Sequence, residues 1–252
     1  MPDWQPLAEV NRHTLAQIRV LLTDIDGTMT SRGRIPADVV EWLPRLRDAG
    51  IEVLPCTGRS AGELLGLVRY LPGIARGIAE NGGILVVPDE PLTPLRAPID
   101  PGQLAAAAQV LGRHAGPWQL APCSFARLTD QAWERAGRTE GQLQHLRTEA
   151  EALGLQLTWS SVHIHLTVTA PDKGAGALQV LLGEGVDPNQ VAAVGDAAND
   201  EGLWVAGRFG LQVGTADAEK VWPLLRHRPS VRVGPSAQGW RELAQALVDA
   251  RS

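Results

Sequence analysis

The chain is poor in cysteine, with Cys56 and Cys123 the only thiols among 252 residues. They lie far apart and carry no metal-ligand spacing, which excludes a disulfide framework and a cysteine-rich metal module. Cys56 sits immediately before Thr57, where a buried strand-end thiol is the plain reading rather than a nucleophile. Long hydrophobic runs are missing too, since no stretch approaches the roughly 20 apolar residues of a membrane helix. Asp3, Gln5 and Glu9 do not fit a standard secretory signal. There is no excess of positive charge: 23 Lys and Arg stand against 28 Asp and Glu, a net charge of -5, which argues against a general nucleic-acid binder. The eight tryptophans are scattered without a base-stacking ladder. Arg226-His227-Arg228 reads as solvated surface. No internal repeat is present. These absences leave the expectation of a soluble cytoplasmic protein, a monomer or homodimer, with neither nucleic acid nor membrane as partner. The length suffices for one domain with a large insertion or two modest ones.

What is present begins with Thr23-Asp24-Ile25-Asp26-Gly27-Thr28, directly after the largely apolar segment 18–22. On an extended chain residues i and i+2 point the same way, so Asp24 and Asp26 can converge on one reacting group. One carboxylate of such a pair can attack phosphorus and accept a magnesium ion, while the other, held protonated, gives a proton to the leaving oxygen. Gly27 lets the backbone turn close to a phosphate, and Thr28 adds a hydroxyl. The pattern also occurs in calcium loops and solvated turns. A calcium loop counted from Asp24 needs further oxygen ligands where Thr28, Arg32 and Ile35 stand, so that reading fails and a plain turn remains the alternative.

Three further segments add to it. Residues 51–60 form a strand-like run ending in Thr57-Gly58-Arg59 at a helix start, where a hydroxyl and backbone N–H groups make an anion site. Asp172-Lys173-Gly174 leads into a helix and offers one ammonium to a phosphate. The apolar run 191–194 ends in Gly195-Asp196-Ala197-Ala198-Asn199-Asp200, two carboxylates four apart. Magnesium takes hard oxygen ligands and keeps several waters, so carboxylates from separate loops suffice.

Together, in this order, the four segments resemble the haloacid dehalogenase superfamily of phosphohydrolases. The resemblance spans roughly residues 19–215. It implies Asp24 as the nucleophile that becomes an aspartyl-phosphate and Asp26 as the general acid that then activates water. Thr57 and the Gly58 amide would hold the transferring phosphoryl group, and Lys173 would neutralise its charge and orient Asp24. Mg2+ would be held by Asp24, the Asp26 carbonyl and Asp196, with Asp200 binding it directly or through water. Asn199 would contact phosphate or fix the loop. Arg59 would join the phosphate site or pair with a surface carboxylate. The two alanines of the last motif differ from the glycine or serine often seen there.

Alternating strand and helix signals indicate an α/β fold, a doubly wound parallel-sheet core. Strands are expected near residues 19–23, 51–56, 191–194 and 209–213, with a helix over Asp38–Asp48 despite Pro44. Five prolines between Pro88 and Pro101 suggest an extended linker leaving the core. After it the sequence predicts a helix at 102–114, strands at 118–120 and 124–129, a helix at 139–153, and strands at 155–159 and 162–169. This α-β-β-α-β-β insertion resembles the C2-type cap of the IIB subfamily, which includes sucrose, mannosylglycerate and phosphoglycolate phosphatases. The expected division is core 1–86, cap 87–171 and core 172–252. Glu80-Asn81-Gly82-Gly83 matches a turn common in that subfamily, and physically reads as a tight turn. In the last cap strand Val162, Ile164, Leu166 and Val168 alternate with His163, His165, Thr167 and Thr169. The apolar face should pack on the cap helices. The polar face, with Phe125, Arg127 and Thr129 added from a neighbouring strand, either reads the leaving group through His163, His165 and Thr167 or faces solvent. A zinc site at the two histidines lacks an evident third ligand. The reading is a magnesium-dependent phosphatase acting on a small phosphorylated metabolite, a sugar phosphate or a phosphorylated small acid. A phosphomutase of the phosphomannomutase type and a non-catalytic phosphate-sensing module are the alternatives. The intact Thr57-Gly58-Arg59 favours the hydrolase over the mutase.

Overall fold

The apolar runs that precede the first, second and fourth motifs are neighbouring strands of one parallel sheet. The structure, a computed structural model, describes residues 4–115, 118–160 and 162–251. Its strands are β1 (Gln5–Pro6), β2 (Val20–Thr23), β3 (Glu52–Pro55), β4 (Gly77–Ala79), β5 (Ile84–Val86), β6 (Thr93–Pro94), β7 (Gln131–Glu134), β8 (Gln156–Trp159), β9 (His163–Thr167), β10 (Val191–Gly195), β11 (Leu211–Gly214) and β12 (Val231–Arg232). Its α-helices are α1 (Arg12–Gln17), α2 (Ala37–Asp48), α3 (Ala61–Tyr70), α4 (Pro101–Ala115), α5 (Glu140–Ala152), α6 (Lys173–Gly183) and α7 (Ser236–Asp249).

The order across the main sheet is β1-β12-β11-β10-β2-β3, parallel throughout. β2 and β10 in its middle are buried at every residue, as strands covered on both faces must be. Their side chains alternate between two cores. Leu21, Val53, Ala192 and Val194 pack with Leu43 of α2, Leu64 of α3 and Trp240 of α7. Val20, Leu22, Leu54 and Ala193 belong to the other core, with Ala177, Val180 and Leu181 of α6. Helices therefore cover both faces of a parallel sheet. The first, second and fourth motifs fall just beyond the carboxyl ends of β2, β3 and β10, where such sheets present ligands. The expected helix over Asp38–Asp48 is α2, with Pro44 inside it.

Two smaller antiparallel sheets accompany the main one. In the first, β4-β5-β6, residues 80–83 form the turn between β4 and β5. The proline-rich stretch departs here from the expected free linker, because Thr93 and Pro94 pair with Leu85 and Ile84. Pro94 sits on an edge strand, the place in a sheet that tolerates a missing N–H. In the second, β7-β9-β8, Leu157, Ile164 and Leu166 share a core with Leu104 and Leu111 of α4 and Leu143 and Leu146 of α5. The apolar face thus packs on the two helices, as the alternation required.

Ahead of α5 the elements differ from expectation. The stretch read as a strand over 118–120 makes a single bridge, Leu120 to Trp133. The stretch read as a strand over 124–129 instead contains a 3-10 turn, Pro122–Ala126, and the strand comes later as β7. Pro122 opens the turn at a position that needs no N–H, and Ser124 Oγ donates to Ala132 O at 2.6 Å, folding the segment back on β7. Phe125 consequently leaves the polar sheet face and is 92% exposed. Val162 and Val168 fall outside β9 and are partly exposed, so the buried apolar row is shorter than predicted. Among the described residues no helix is long and apolar enough to cross a membrane.

The start of α6 lies so close to the 198–204 segment that a Cβ on Gly174 would sit 2.0 Å from the Gly202 carbonyl oxygen. Gly174→Ala is expected to cost about 1–3 kcal/mol of stability. It should appear as a lower urea midpoint with an unchanged slope.

Candidate active site

Asp24 follows β2 directly, and its N–H continues the ladder by donating to Val194 O at 3.0 Å. Lys173 is the first residue of α6, which Asp172 caps by accepting from Ala175 N. The buried Lys173 ammonium donates to Asp24 Oδ1 and to Asp200 Oδ1, at 2.6 Å each. The second oxygen of Asp200 accepts from the N–H groups of Asp196 (2.9 Å) and Ala197 (3.0 Å), closing the loop after β10. Ala197 and Ala198 therefore leave the loop's hydrogen bonds intact. Thr28 Oγ1 donates to Asp196 Oδ1 at 3.0 Å. Gly27 has φ +88°, and a Cβ there would lie 2.2 Å from Asp196 Oδ2, so glycine is what lets the first motif approach the fourth.

One oxygen from each of Asp24, Asp196 and Asp200 lies within 4.8 Å of the others. Three buried acids face one buried base. Burial pushes the Asp24 carboxyl up to about 7 against the pull of Lys173. It also pushes Asp196 well above its ordinary value, with Asp24 and Asp200 adding to the rise. Burial alone would lower the Lys173 pKa, yet Asp200 and Asp24 raise it. An excess of hard oxygen donors held together in this way fits a small divalent cation.

Asp26 lies outside this group. Arg59 grips it bidentately, Nε to Oδ2 at 2.8 Å and a terminal nitrogen to Oδ1 at 2.6 Å, and also reaches Glu63 Oε1 at 3.1 Å. Of the readings open for Arg59, the structure holds ion pairs, one with the motif carboxylate of Asp26 and one with the partly exposed Glu63. Ser60 and Glu63 form a capping box at the start of α3, which fixes the backbone after Gly58. Thr57 is buried, with its N–H bonded to Ile78 O and its hydroxyl accepting from Arg59 N at 3.2 Å. Asn199 donates to Asn81 Oδ1 at 3.0 Å, while its own buried Oδ1 has no protein partner.

The polar face of β9 turns toward the main sheet. His165 is buried, and a Cβ on Gly58 would lie 3.1 Å from its Nε2. Its Nδ1 is 3.0 Å from Asp130 Oδ2. Asp130 also pairs with Arg127, whose guanidinium donates to Gly58 O at 2.6 Å. Burial would raise the Asp130 pKa, but Arg127 and His165 together hold it well below the usual range, while burial depresses that of His165. The imidazole thus donates a hydrogen bond from Nδ1–H to Asp130 and turns an unpartnered Nε2 toward the Gly58 loop. His163 shares that face but sits beside Glu134, 3.8 Å from Oε1. Of the two histidines, the structure therefore brings only His165 to the second motif. A cleft of about 230 Å³ borders Gly27 and Asp196, walled by Arg135 and Trp159 on one side and Lys220 and Ser236 on the other. Asp130 and Arg135 were not foreseen, since no motif or periodicity marks either.

The chain is similar to known proteins over most of its length. The sequence profile of the haloacid dehalogenase-like hydrolases matches residues 21–123. A phosphoglycolate phosphatase of Methanopyrus kandleri is 32% identical over 76% of this chain and 82% of its own length. One from Pyrobaculum neutrophilum is 30% identical over 91% of this chain and 96% of its own length. Among solved structures, a Thermoplasma acidophilum protein superposes with a TM-score of 0.73 at 18% identity, over 92% of this chain and 98% of that one. A Bacteroides thetaiotaomicron phosphatase of the haloacid dehalogenase superfamily gives 0.66 at 20% identity, over 96% and 99%.

In the metal-free protein the Asp24 carboxyl, pushed up to about 7, keeps a proton below that pH, and a cation must displace it. Binding of a divalent cation, tested with Mg2+, should therefore release more protons near pH ~6 than near pH ~9. Calorimetry in buffers of different ionisation heat measures this, and Asp196→Asn should abolish most of the binding. Equal proton release at both pH values would contradict the arrangement.

Proposed function

The chain belongs to the haloacid dehalogenase-like hydrolases and is a phosphatase, and we propose that it hydrolyses a small phosphorylated acid, with Mg2+, through an aspartyl-phosphate on Asp24. The observation that carries this reading is the buried contact of Lys173 with Asp24 Oδ1. It neutralises the carboxylate, fixes its rotation and leaves the second oxygen for attack. Asp24, Asp196 and Asp200, with the Asp26 carbonyl, would hold the cation, which when bound supplies electrostatic stabilisation to the transferring phosphoryl oxygens.

The remaining steps belong to the chain's own groups. The free oxygen of Asp24 attacks phosphorus, the bond from phosphorus to the leaving oxygen breaks, and Asp26 gives that oxygen a proton. Thr57 and the Gly58 amide hold the phosphoryl group, with Lys173 and Asn199 beside it. Asp26 then takes a proton from water, whose oxygen attacks phosphorus, releasing orthophosphate and restoring Asp24. Both oxygens of Asp26 accept from Arg59, so proton delivery requires that Asp26 first release at least one of these bonds, take up a proton on the freed oxygen and turn it to the leaving oxygen.

We read residues 87–171 as the cap, placed between core segments 1–86 and 172–252. Its seating supports the reading, because His165 and Arg127 lie against Gly58. A phosphorylated small acid is preferred over a sugar phosphate because the relatives that match most of this chain are named phosphoglycolate phosphatases. The small cleft beside Asp196 agrees with a compact leaving group.

Phosphate release is to be measured on phosphoglycolate, phosphoglycerates, sugar phosphates and an aryl phosphate, with and without Mg2+. Magnesium-dependent preference for phosphoglycolate is expected, and preference for a hexose phosphate would overturn the substrate class. Asp24→Asn should lower kcat by roughly three orders of magnitude or more in a protein that still folds. Retained turnover in that variant would sink the covalent route.

A further inference from the structure

The turn Glu80-Asn81-Gly82-Gly83 has no part in the chemistry above, yet four separate pieces of the protein meet on it. Glu80 and Asn81 both adopt left-handed backbone angles, φ 53° and 54°. Asn tolerates that conformation in turns, whereas for Glu it is uncommon and is held by the surroundings. On the side of the second motif, Glu80 N donates to Arg59 O at 3.0 Å and Asn81 N to Thr57 O at 2.9 Å. Toward the fourth motif, Asn81 Oδ1 accepts from Asn199. Near Lys173, a Cβ on Gly82 would sit 2.4 Å from Asp172 O, so only glycine allows that contact. Facing β7-β9-β8, the fully buried Glu80 carboxylate accepts from Leu128 N at 3.0 Å, Thr129 N at 2.7 Å and Thr129 Oγ1 at 2.8 Å. The Glu80 carbonyl accepts in addition from Arg96.

The geometry points to Glu80 as a positioning residue, the seat into which segment 127–129 docks, so that seating of the smaller unit and alignment of the phosphate-holding loop are a single event. A buried carboxylate with three donors is a demanding acceptor: its charge is tolerable only while those donors are in place. When 127–129 lifts away, Arg127 leaves Gly58 O and the carboxylate loses its partners together. The adjacent backbone of Glu80 and Asn81 carries Thr57 and Arg59 directly, so the disturbance reaches the second motif through two hydrogen bonds. Asn81 passes it on to Asn199. Seating thus orders three motifs from one point, and His165 arrives over Gly58 on the same body. For its catalytic consequence this inference rests on the proposed phosphatase reading, but its structural content does not.

The test uses Glu80→Gln and Thr129→Val in the full-length protein, with amide hydrogen exchange as the first readout. Gln puts an NH2 against backbone donors, while Val removes only one hydroxyl and keeps the fold if Gln does not. Faster exchange by about tenfold or more is expected at Leu128 and Thr129, and in parallel at Gly58, Arg59 and Asn81. Acceleration confined to 128 and 129 would overturn the coupling. Kinetics supply the second readout: kcat/KM for the preferred substrate should fall by about tenfold while KM for an aryl phosphate changes little. Glu80→Asp should restore part of the loss. A variant that loses only melting temperature, with unchanged kinetics and unchanged exchange at 58–59, would show a purely structural carboxylate and overturn the inference. If the wild type releases no phosphate from any substrate, the functional reading fails while the exchange result still decides the coupling.

Discussion

The buried ammonium of Lys173 is the interaction on which the site depends. It lies between Asp24 and Asp200 at 2.6 Å from each, and these residues come from the ends of β2, α6 and the loop after β10. A charge of this kind removed from water costs several kcal/mol unless it is paired and hydrogen-bonded. The structure can therefore bury Lys173 only where two carboxylates converge. That convergence demands neighbouring parallel strands with their carboxyl ends together, and β2 beside β10 supplies them. Gly27 and Gly174 belong to the same constraint. Each stands where a Cβ would meet another motif, at Asp196 Oδ2 and at Gly202 O. The glycines bring the backbones close enough for the charges to pair.

Two buried polar clusters stand out among the described residues, and the way their carboxylates are satisfied separates their roles. Around Lys173 the acids outnumber the bases, burial with help from neighbouring carboxylates pushes Asp24 and Asp196 up in pKa, and the cluster is incomplete by itself. Around Gly58 the carboxylates are matched by the protein's own donors. Arg127 pairs with Asp130, His165 donates a hydrogen bond from its Nδ1–H to the same carboxylate, and the donors of 128–129 satisfy Glu80. A matched cluster is an assembly device, whereas an unmatched one calls for a ligand of opposite charge. The surplus sits next to the proposed nucleophile, and the matched set sits at the contact between the main sheet and β7-β9-β8.

Much of this was legible in the sequence because short motifs at strand ends are local. Asp24, Thr57, Lys173, Asp196 and Asp200 lie in short segments that follow an apolar strand or open a helix, and it was the resemblance of those segments, in order, to the haloacid dehalogenase superfamily that singled them out. The alternation of residues 162–169 likewise marked an apolar face for the cap helices, while it left the polar face open between the active site and solvent. Other features were not legible, because they depend on long-range pairing. Nothing near Asp26 indicates that Arg59 will grip it with both nitrogens. Segment 124–129 has strand-like composition, yet Pro122 and the Ser124 hydroxyl turn it into a 3-10 turn. That shift sends Phe125 to solvent and delivers Arg127 to Gly58. Likewise, Thr93 and Pro94 became an edge strand because a partner, β5, was available.

The contact between the main sheet and β7-β9-β8 is of two kinds. On one side of the smaller unit the contact is apolar, with Trp159 and Leu157 in one continuous core with Leu203 and Trp204. On the other side it is polar, made by Glu80, Arg127 and Gly58 O. Exposing apolar surface costs free energy in proportion to its area, with nothing in water to replace it. Opened hydrogen bonds are largely replaced by bonds to water, so their net worth is small while their geometry remains strict. The apolar edge therefore carries most of the free energy of the contact, and the polar edge sets its register. The polar edge is also the one that touches Thr57, Gly58 and Arg59, so that register is passed to the loop proposed to hold the phosphoryl group.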